Sequence, residues 1–319
     1  MRWLITGGCG FIGVNLIHSL LEDAENQIVV LDNLSVGTRQ DLRGVCDFEG
    51  ASSPVDLIEG DIMDADTVVA AMDGVDVVVH LAANTGVGPS VEDPRQDCTT
   101  NVIGTLNVLE AARACDTQRV IFASSGAPIG ECEPPIHEEL PAHPVSPYGA
   151  SKLAGEGYCS AYFRSFGIDT VALRFGNVYG ERSKHKSSAV AKFIGLALAG
   201  ESLDIYGDGG QTRDFIYVGD LVAAILKSAS TADIGGEIFQ IATHQETSVN
   251  ELVDTLKVVL EEKRPGLNVV TTNSEPRVGD VRRNFSDTSK AGKQLGWQAE
   301  SKLEDGLAKT VDWFLREAR

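Results

Sequence analysis

The chain has 319 residues, 43% of them hydrophobic and 23% charged. That is enough for one large α/β unit or two modest domains, and too apolar for wholesale disorder. Its 27 Lys and Arg against 46 Asp and Glu leave a net charge of −19, which excludes a general nucleic-acid or membrane-surface binder, since both partners are polyanions.

Trp3–Thr6 reads as a first strand, and Phe11–Leu21 as a helix with Ile12, Leu16, Ile17, Leu20 and Leu21 on one face. Between them lies TGGCGFIG (6–13), where Gly7, Gly10 and Gly13 follow a GxxGxxG spacing. Gly7 lets the chain turn, Gly10 lets a pyrophosphate approach the backbone, and Gly13 lets the helix pack close to the sheet. The helix N-terminus then offers unpaired N–H groups and a partial positive charge to the phosphates. Such a turn can also serve strand–helix packing alone. The second strand, Ile28–Leu31, separates the two readings by ending at Asp32, 19 residues after Gly13. A carboxylate there accepts from both hydroxyls of an adenosine ribose and repels a 2′-phosphate, so NAD is expected rather than NADP.

Asp56–Glu59 is a third strand, and Asp61 and Ile62 behind it fall beside the adenine. Val75–Leu81 (VDVVVHL) is nearly all apolar, as a central strand covered on both faces should be. A long helix over Arg95–Ala114, a strand over Arg119–Ala123, a helix over Pro147–Phe166 and a strand over Thr170–Phe175 follow. This order implies an α/β fold with a doubly wound parallel sheet, because parallel neighbours need crossover helices. Beyond Arg174 the rhythm loosens. Gly, Ser and Lys gather at 180–188, a helix covers Ala189–Leu198, and YGDGGQTRDF (206–215) is a loop running into a short strand. Helices over Val218–Ala229, Val249–Glu261 and Leu303–Leu315 complete a smaller C-terminal lobe, partly interleaved with the first, that closes over the sheet's carboxyl edge.

Tyr148 and Lys152 in SPYGASK (146–152) stand four residues apart near a helix start, hence on one face. An ammonium near the phenol, with a positive nicotinamide ring, favours phenolate and readies it to take a proton from a sugar hydroxyl. Ser124-Ser125 follow the strand Arg119–Ala123, so a hydroxyl there can share the same substrate oxygen. The six cysteines, Cys9, Cys46, Cys98, Cys115, Cys132 and Cys159, include no CxxC pair, which argues against a zinc ribbon or dithiol site and for free thiols. The N-terminus enters its first strand without an apolar leader, and no apolar run reaches membrane-spanning length. A reduced cytoplasmic protein is expected, with no membrane or nucleic-acid partner.

TGGCGFIG, DNLSVG (32–37), GDI (60–62), HLAA (80–83), NVIGTLNVLEAAR (101–113), SS (124–125), SPYGASK, RFGNVYG (174–180), QTRDFIYVGDL (211–221), GD (279–280) and DTSKA (287–291) span nearly the whole chain. Jointly they resemble the extended short-chain dehydrogenase/reductases, in particular nucleotide-sugar 4-epimerases of the UDP-glucose 4-epimerase type. The resemblance implies a Rossmann-type NAD-binding domain over 1–175, with about 213–243 returning to it, and a nucleotide-sugar lobe over 176–319. It implies that NAD is held by Gly7, Gly10, Phe11, Ile12, Gly13, Asp32, Asn33, Ser35, Gly37, Asp61 and Ile62. Leu81, Ala82, Ala83, Thr85, Asn101, Tyr148, Lys152 and Val178 complete that set. Tyr148 is the implied base, Lys152 its partner and nicotinamide-ribose ligand, and Ser125 the second hydroxyl. A UDP-sugar is the implied substrate, held by Asn177, Arg213 and Arg277 at the diphosphate and by Leu203 to Tyr206 beside the uracil. Thr85, Ser125, Val190, Asp280 and Asn284 lie in further matching positions, and Asn284 is the gatekeeper of sugar size.

The implied reaction takes the 4-hydroxyl proton to Tyr148 while the C4 hydride passes to NAD⁺. The 4-keto sugar then turns about the diphosphate link and regains the hydride on its other face, with no metal required. Sugar 4,6-dehydratases carry an Asp-Glu pair after the second serine, and glucuronate decarboxylases a Glu at the second of those positions. Here Gly126 and Ala127 stand there, then Pro128 and Ile129 where many relatives have Val-Tyr. Epimerisation of UDP-glucose/UDP-galactose or of the N-acetylhexosamine pair therefore ranks first. A UDP-glucuronate 4-epimerase, favoured if Arg282 and Arg283 face the sugar, another NAD-dependent nucleotide-sugar dehydratase or reductase, and a nucleotide-binding regulatory protein are the alternatives. Relatives pair through the helices near 95–114 and 147–166, which implies a homodimer.

Overall fold

The computed structural model describes residues 1–46, 55–184, 188–275 and 281–317. The first half runs β1 (Arg2–Thr6), α1 (Phe11–Leu20), β2 (Gln27–Asp32), α2 (Arg39–Cys46), β3 (Val55–Glu59), α3 (Ala65–Ala71) and β4 (Val77–His80). It continues with α4 (Val87–Glu92), α5 (Pro94–Cys98), a wide π turn (Thr99–Ile103), α6 (Gly104–Ala114), β5 (Arg119–Ser125), α7 (Pro147–Phe166) and β6 (Asp169–Phe175). The second half runs β7 (Asn177–Tyr179), α8 (Ala189–Ala199), β8 (Leu203–Tyr206), β9 (Thr212–Arg213), β10 (Phe215–Tyr217), α9 (Val218–Ser230) and β11 (Glu237–Ile241). It ends with β12 (Thr247–Ser248), α10 (Val249–Lys263), β13 (Thr271–Ser274), α11 (Ser289–Gln294) and α12 (Leu303–Glu317).

Seven strands form one parallel sheet in the order β11-β6-β5-β4-β1-β2-β3, a doubly wound Rossmann-type sheet whose direction of winding reverses between β1 and β4. Alternate side chains serve opposite faces. Trp3, Ile5, Val30, Val79 and Ile121 cluster with Leu16 and Ile17 of α1 and Leu221 and Ile225 of α9. Leu4, Val29, Val78 and Val120 cluster with Val68 of α3 and Val108 and Leu109 of α6. Burial on both sides is why these strands read as continuous apolar runs.

Beyond β6 the chain builds a smaller lobe from three two-stranded sheets, β7 with β10, β8 with β13 and β9 with β12. Its helices α8, α10 and α12 contribute Ile194, Leu256, Leu260, Leu307 and Val311 to the same core that lies under α1 and α9. The helix expected over Arg95–Ala114 is one path interrupted by the π turn. Elements α2, α3, α4, α11, β7, β8, β11, β12 and β13 are short and carry too few periodic positions to be predicted from the sequence.

Behind the carboxyl ends of β5 and β6, Arg174 donates from Nε and Nη2 to Glu156 of α7 at 2.8 and 2.7 Å, and Ser124 Oγ donates to the same carboxylate. Both charged side chains are almost wholly buried. Removing one partner leaves the other charge uncompensated in the interior. Glu156→Ala is therefore expected to lose about 3–5 kcal/mol of stability, measured by chemical denaturation.

Candidate active site

The carboxyl edge between β1 and β4 is where a doubly wound sheet opens a crevice. Gly7 turns there at φ +70°, and a Cβ on it would stand 2.8 Å from the Ala82 backbone nitrogen after β4. At Gly13 a Cβ would be 2.5 Å from the Gly8 Cα, and at Gly37 it would be 2.1 Å from the Cys9 carbonyl oxygen. The loop after β2 is thus pressed against the glycine turn, backbone on backbone. Helix α1 starts at Gly10 with no side-chain cap, so no side chain stands over the positive end of the helix.

Asp32 is buried and accepts from Cys9 N at 2.9 Å and Leu34 N at 2.8 Å. Burial raises its pKa, and those two N–H bonds oppose the rise. Beyond it, Asn33 Nδ2 donates to Asp61 at 2.9 Å, and Ile62 packs against Gly104. Phe11, Ile12, Leu81, Ala82 and Ala83 are half-buried along the crevice elements, whereas Asn33, Ser35 and Thr85 are exposed. A side-chain-free glycine cradle, an uncapped helix N-terminus and a carboxylate at the end of β2 form a donor set that fits a dinucleotide.

The expected Tyr-Lys pair sits on the first turns of α7, which Ser146 starts by accepting from Gly149 N at 3.1 Å. The Tyr148 hydroxyl is hydrogen-bonded to Ser125 at the end of β5, while Ser124 points away to Glu156. Burial pushes the Tyr148 phenol up to about 12; the Ser125 hydrogen bond opposes this and the Asp97 charge adds to it. Lys152 is buried, donates from Nζ to the Ala123 carbonyl at 2.8 Å and lies 5.8 Å from the Tyr148 ring centroid. Burial pulls its ammonium down to about 8, against the charges of Asp97 and Glu156. The expectation that Lys152 lowers the Tyr148 pKa is corrected here: the ammonium is spent on a carbonyl, and loss of hydration decides the direction.

Asn101 stands in the π turn, which swings it inward. Its Nδ2 lies 2.9 Å from Asp97 Oδ1, 3.0 Å from the Asn84 carbonyl and 3.1 Å from Ser151 Oγ, and its Oδ1 accepts from Asn84 N at 2.8 Å. It therefore clamps the loop after β4 to α7. His80 is buried between Thr6 and Thr105 at 2.7 and 3.0 Å, and burial, with the Lys152 charge, holds it down to about 3. Asp97 and His80 escaped the sequence reading. The signal for Asp97 was its place four residues before Asn101, on the same helical face.

In the second lobe Asn177, Val178, Val190, Tyr206 and Arg213 line one cavity of about 390 Å³, together with Lys192 and Gln211. Arg213 donates from Nη1 to the carbonyls of Thr212 and Val281 at 2.6 and 2.8 Å. Leu203 differs from expectation. It is wholly buried in the core, where it holds β8 beside β13, and gives no surface to the cavity. Asn284 is half-buried on the segment that meets Ile136, and Arg277 and Asp280 lie outside the described residues. Pro128 and Ile129 are both buried, so they brace the β5 loop. Among the described residues no group of three or more His, Cys, Asp or Glu side chains could hold a metal ion, and no helix is long and apolar enough to cross a membrane.

Residues 3–242 match the NAD dependent epimerase/dehydratase family. A UDP-glucose 4-epimerase of Mycolicibacterium smegmatis is 38% identical over 324 residues, covering all of both chains. Among solved structures, UDP-glucose 4-epimerase of Thermotoga maritima with UDP-glucose superposes with a TM-score of 0.90 at 34% identity over all of both chains. UDP-N-acetylglucosamine 4-epimerase of Methanobrevibacter ruminantium gives 0.89 at 34% identity, covering 99% of this chain and 98% of that one.

Asp32→Ala should release NAD at least about tenfold more readily and narrow the preference over NADP, measured by nucleotide retention on gel filtration, because a charge-assisted hydrogen bond is worth about 1.5–3 kcal/mol. His80 supplies a pH test. The unfolded chain protonates it below its ordinary 6.5 and the folded chain only near 3, so the folded state loses stability as pH falls from about 6.5 to 3. His80→Gln is expected to give a shallower fall of Tm over that window.

Proposed function

The chain belongs to the NAD dependent epimerase/dehydratase family, and we propose from that footing that it interconverts the C4 epimers of a UDP-sugar through a transient 4-keto sugar. One observation carries the reading: Ser125, Tyr148 and Lys152 meet at the carboxyl ends of the sheet with no carboxylate at 126 or 127. When bound, NAD supplies the hydride acceptor and donor and, in its oxidised form, a positive ring that favours phenolate.

Ser125 and Tyr148 would hold the substrate 4-hydroxyl between them, and Tyr148 would take its proton and return it to the epimer. Lys152, anchored on Ala123, would orient the cofactor ribose. Asp32 and the glycine cradle would hold the adenosine and pyrophosphate, with Asn101 fixing the loop after β4. Asn177 and Arg213 would keep the diphosphate while the sugar turns, and Tyr206 would flank the base.

The rival reactions have less support. A dehydratase would need an acid where Gly126 now faces open space. A uronate preference would draw on Arg282 and Arg283, yet Arg282 is paired with Asp208, and Arg283 with Glu246 and Glu133. Neutral hexoses therefore rank above uronates, and Asn284, of moderate size, keeps the N-acetylhexosamine pair in the reading. A pure binder would need none of Ser125, Tyr148 or Lys152.

Val87, Val91, Ile103, Tyr158 and Phe166 expose apolar surface along α4, the π turn and α7, which supports a homodimer through this face. The absence of a disulfide among the described cysteines supports a cytoplasmic setting.

Given UDP-glucose, UDP-N-acetylglucosamine or UDP-glucuronate without added cofactor, the protein should yield a C4-epimer mixture from one of the first two, resolved by NMR. Tyr148→Phe should lower kcat by about 10²–10⁴-fold. A stall after one equivalent, or unchanged turnover in the variant, would overturn the reading.

A further inference from the structure

Asp97 is 1% exposed, and its Oδ2 has no hydrogen-bond partner. A bare carboxylate oxygen in the interior is expensive unless nearby positive charge compensates it. Its other oxygen accepts from Asn101, which in turn touches Ser151 of α7 and the loop after β4. Helix α5 thus delivers one negative charge to the first turns of α7, where Tyr148 and Lys152 stand. Resting on the reading above, we propose that Asp97 is a positioning residue, the buried counter-charge that keeps Lys152 protonated and delays ionisation of Tyr148 until the site is loaded.

The other groups around it make the assignment specific. From α7, Glu156 and Cys159 face Lys152, but Glu156 is committed to Arg174 by two hydrogen bonds. From β4, His80 is neutral because burial denies it a proton. Glu92 on α4 and Arg95 on α5 are exposed, so solvent screens them. Among the described residues, this leaves Asp97 as the buried carboxylate that faces the Tyr-Lys pair without an arginine partner. Both pair members feel it in the same sense, as its charge raises each of their pKa values.

Neutralising Asp97 lowers both pKa values, so the rising limb of a pH–rate profile (Tyr148 deprotonation) and the falling limb (Lys152 deprotonation) both move to lower pH. A role confined to holding Asn101 would lower the rate and leave both limbs in place. The experiment compares Asp97→Asn with Asp97→Glu, which keeps the charge. Ultraviolet difference titration of the phenolate, read against Tyr148→Phe, gives a measurement independent of turnover.

Asp97→Asn should move the Tyr148 titration and both kinetic limbs acidward by at least about half a pH unit, the scale of a nearby charge at an effective interior dielectric near 20. Asp97→Glu should restore their positions even at a reduced rate. If Asp97→Asn does not fold, Asp97→Ser provides the same neutral comparison with room for a water. An unmoved phenolate titration in a folded neutral variant overturns the proposal. Absence of epimerisation by the parent protein, with the titration shifted in the variant, overturns the reaction instead.

Discussion

A lysine ammonium shut away from water at the end of a parallel sheet is the constraint around which this molecule is arranged. Lys152 is 3% exposed, and its hydration is replaced by the Ala123 carbonyl, the Phe122 ring at 4.9 Å, and the charges of Asp97 and Glu156. These substitutes come from three elements, so β5, α5 and α7 must all be in register for the charge to be tolerable. The same confinement pulls the lysine to about 8 and lifts the tyrosine to about 12. Such opposed displacement of two titratable groups is a mark of a proton-transfer site.

The glycine cradle follows the same logic with backbone in place of charge. Gly7, Gly13 and Gly37 each stand where a Cβ would collide with main chain, so the turn after β1, the loop after β2 and the segment after β4 touch without side chains between them. That contact brings the carboxyl ends of three strands to one crevice. Asp32 then ties the turn to the second strand by accepting from Cys9, which makes this carboxylate part of the turn's own structure.

Much of this was legible because the chemistry is local. Tyr148 and Lys152 are one helical turn apart, and the glycine turn precedes its own helix, so spacing alone put these groups together. Buried strands announced themselves by composition for the same reason. What stayed hidden depends on pairing across long separations. The five-residue β11 joins the sheet beside β6 from more than sixty residues away, and nothing in EIFQI specifies that neighbour. The π turn was equally invisible, since it shifts the facing of Asn101 by a fraction of a turn that periodicity over Arg95–Ala114 averages out. The direction of the Tyr148 shift was missed because burial is a tertiary property, and it outweighed the charge that spacing could reveal.

A net charge of −19 over the whole chain does not set the field inside one cavity, because charge acts there over a short distance. At physiological ionic strength charges beyond roughly 8 Å are largely screened, so the acidic surface sets solubility while the immediate donors set binding. In the second-lobe cavity those donors are held in advance. Arg213 is braced on two backbone carbonyls, and Lys192 lies 5.8 Å from the Tyr206 ring centroid across the same cavity. A cation fixed before the ligand arrives loses less conformational freedom on binding than one recruited from solvent. The positive charge lining this cavity therefore rests on the packing of β8, β9 and α8.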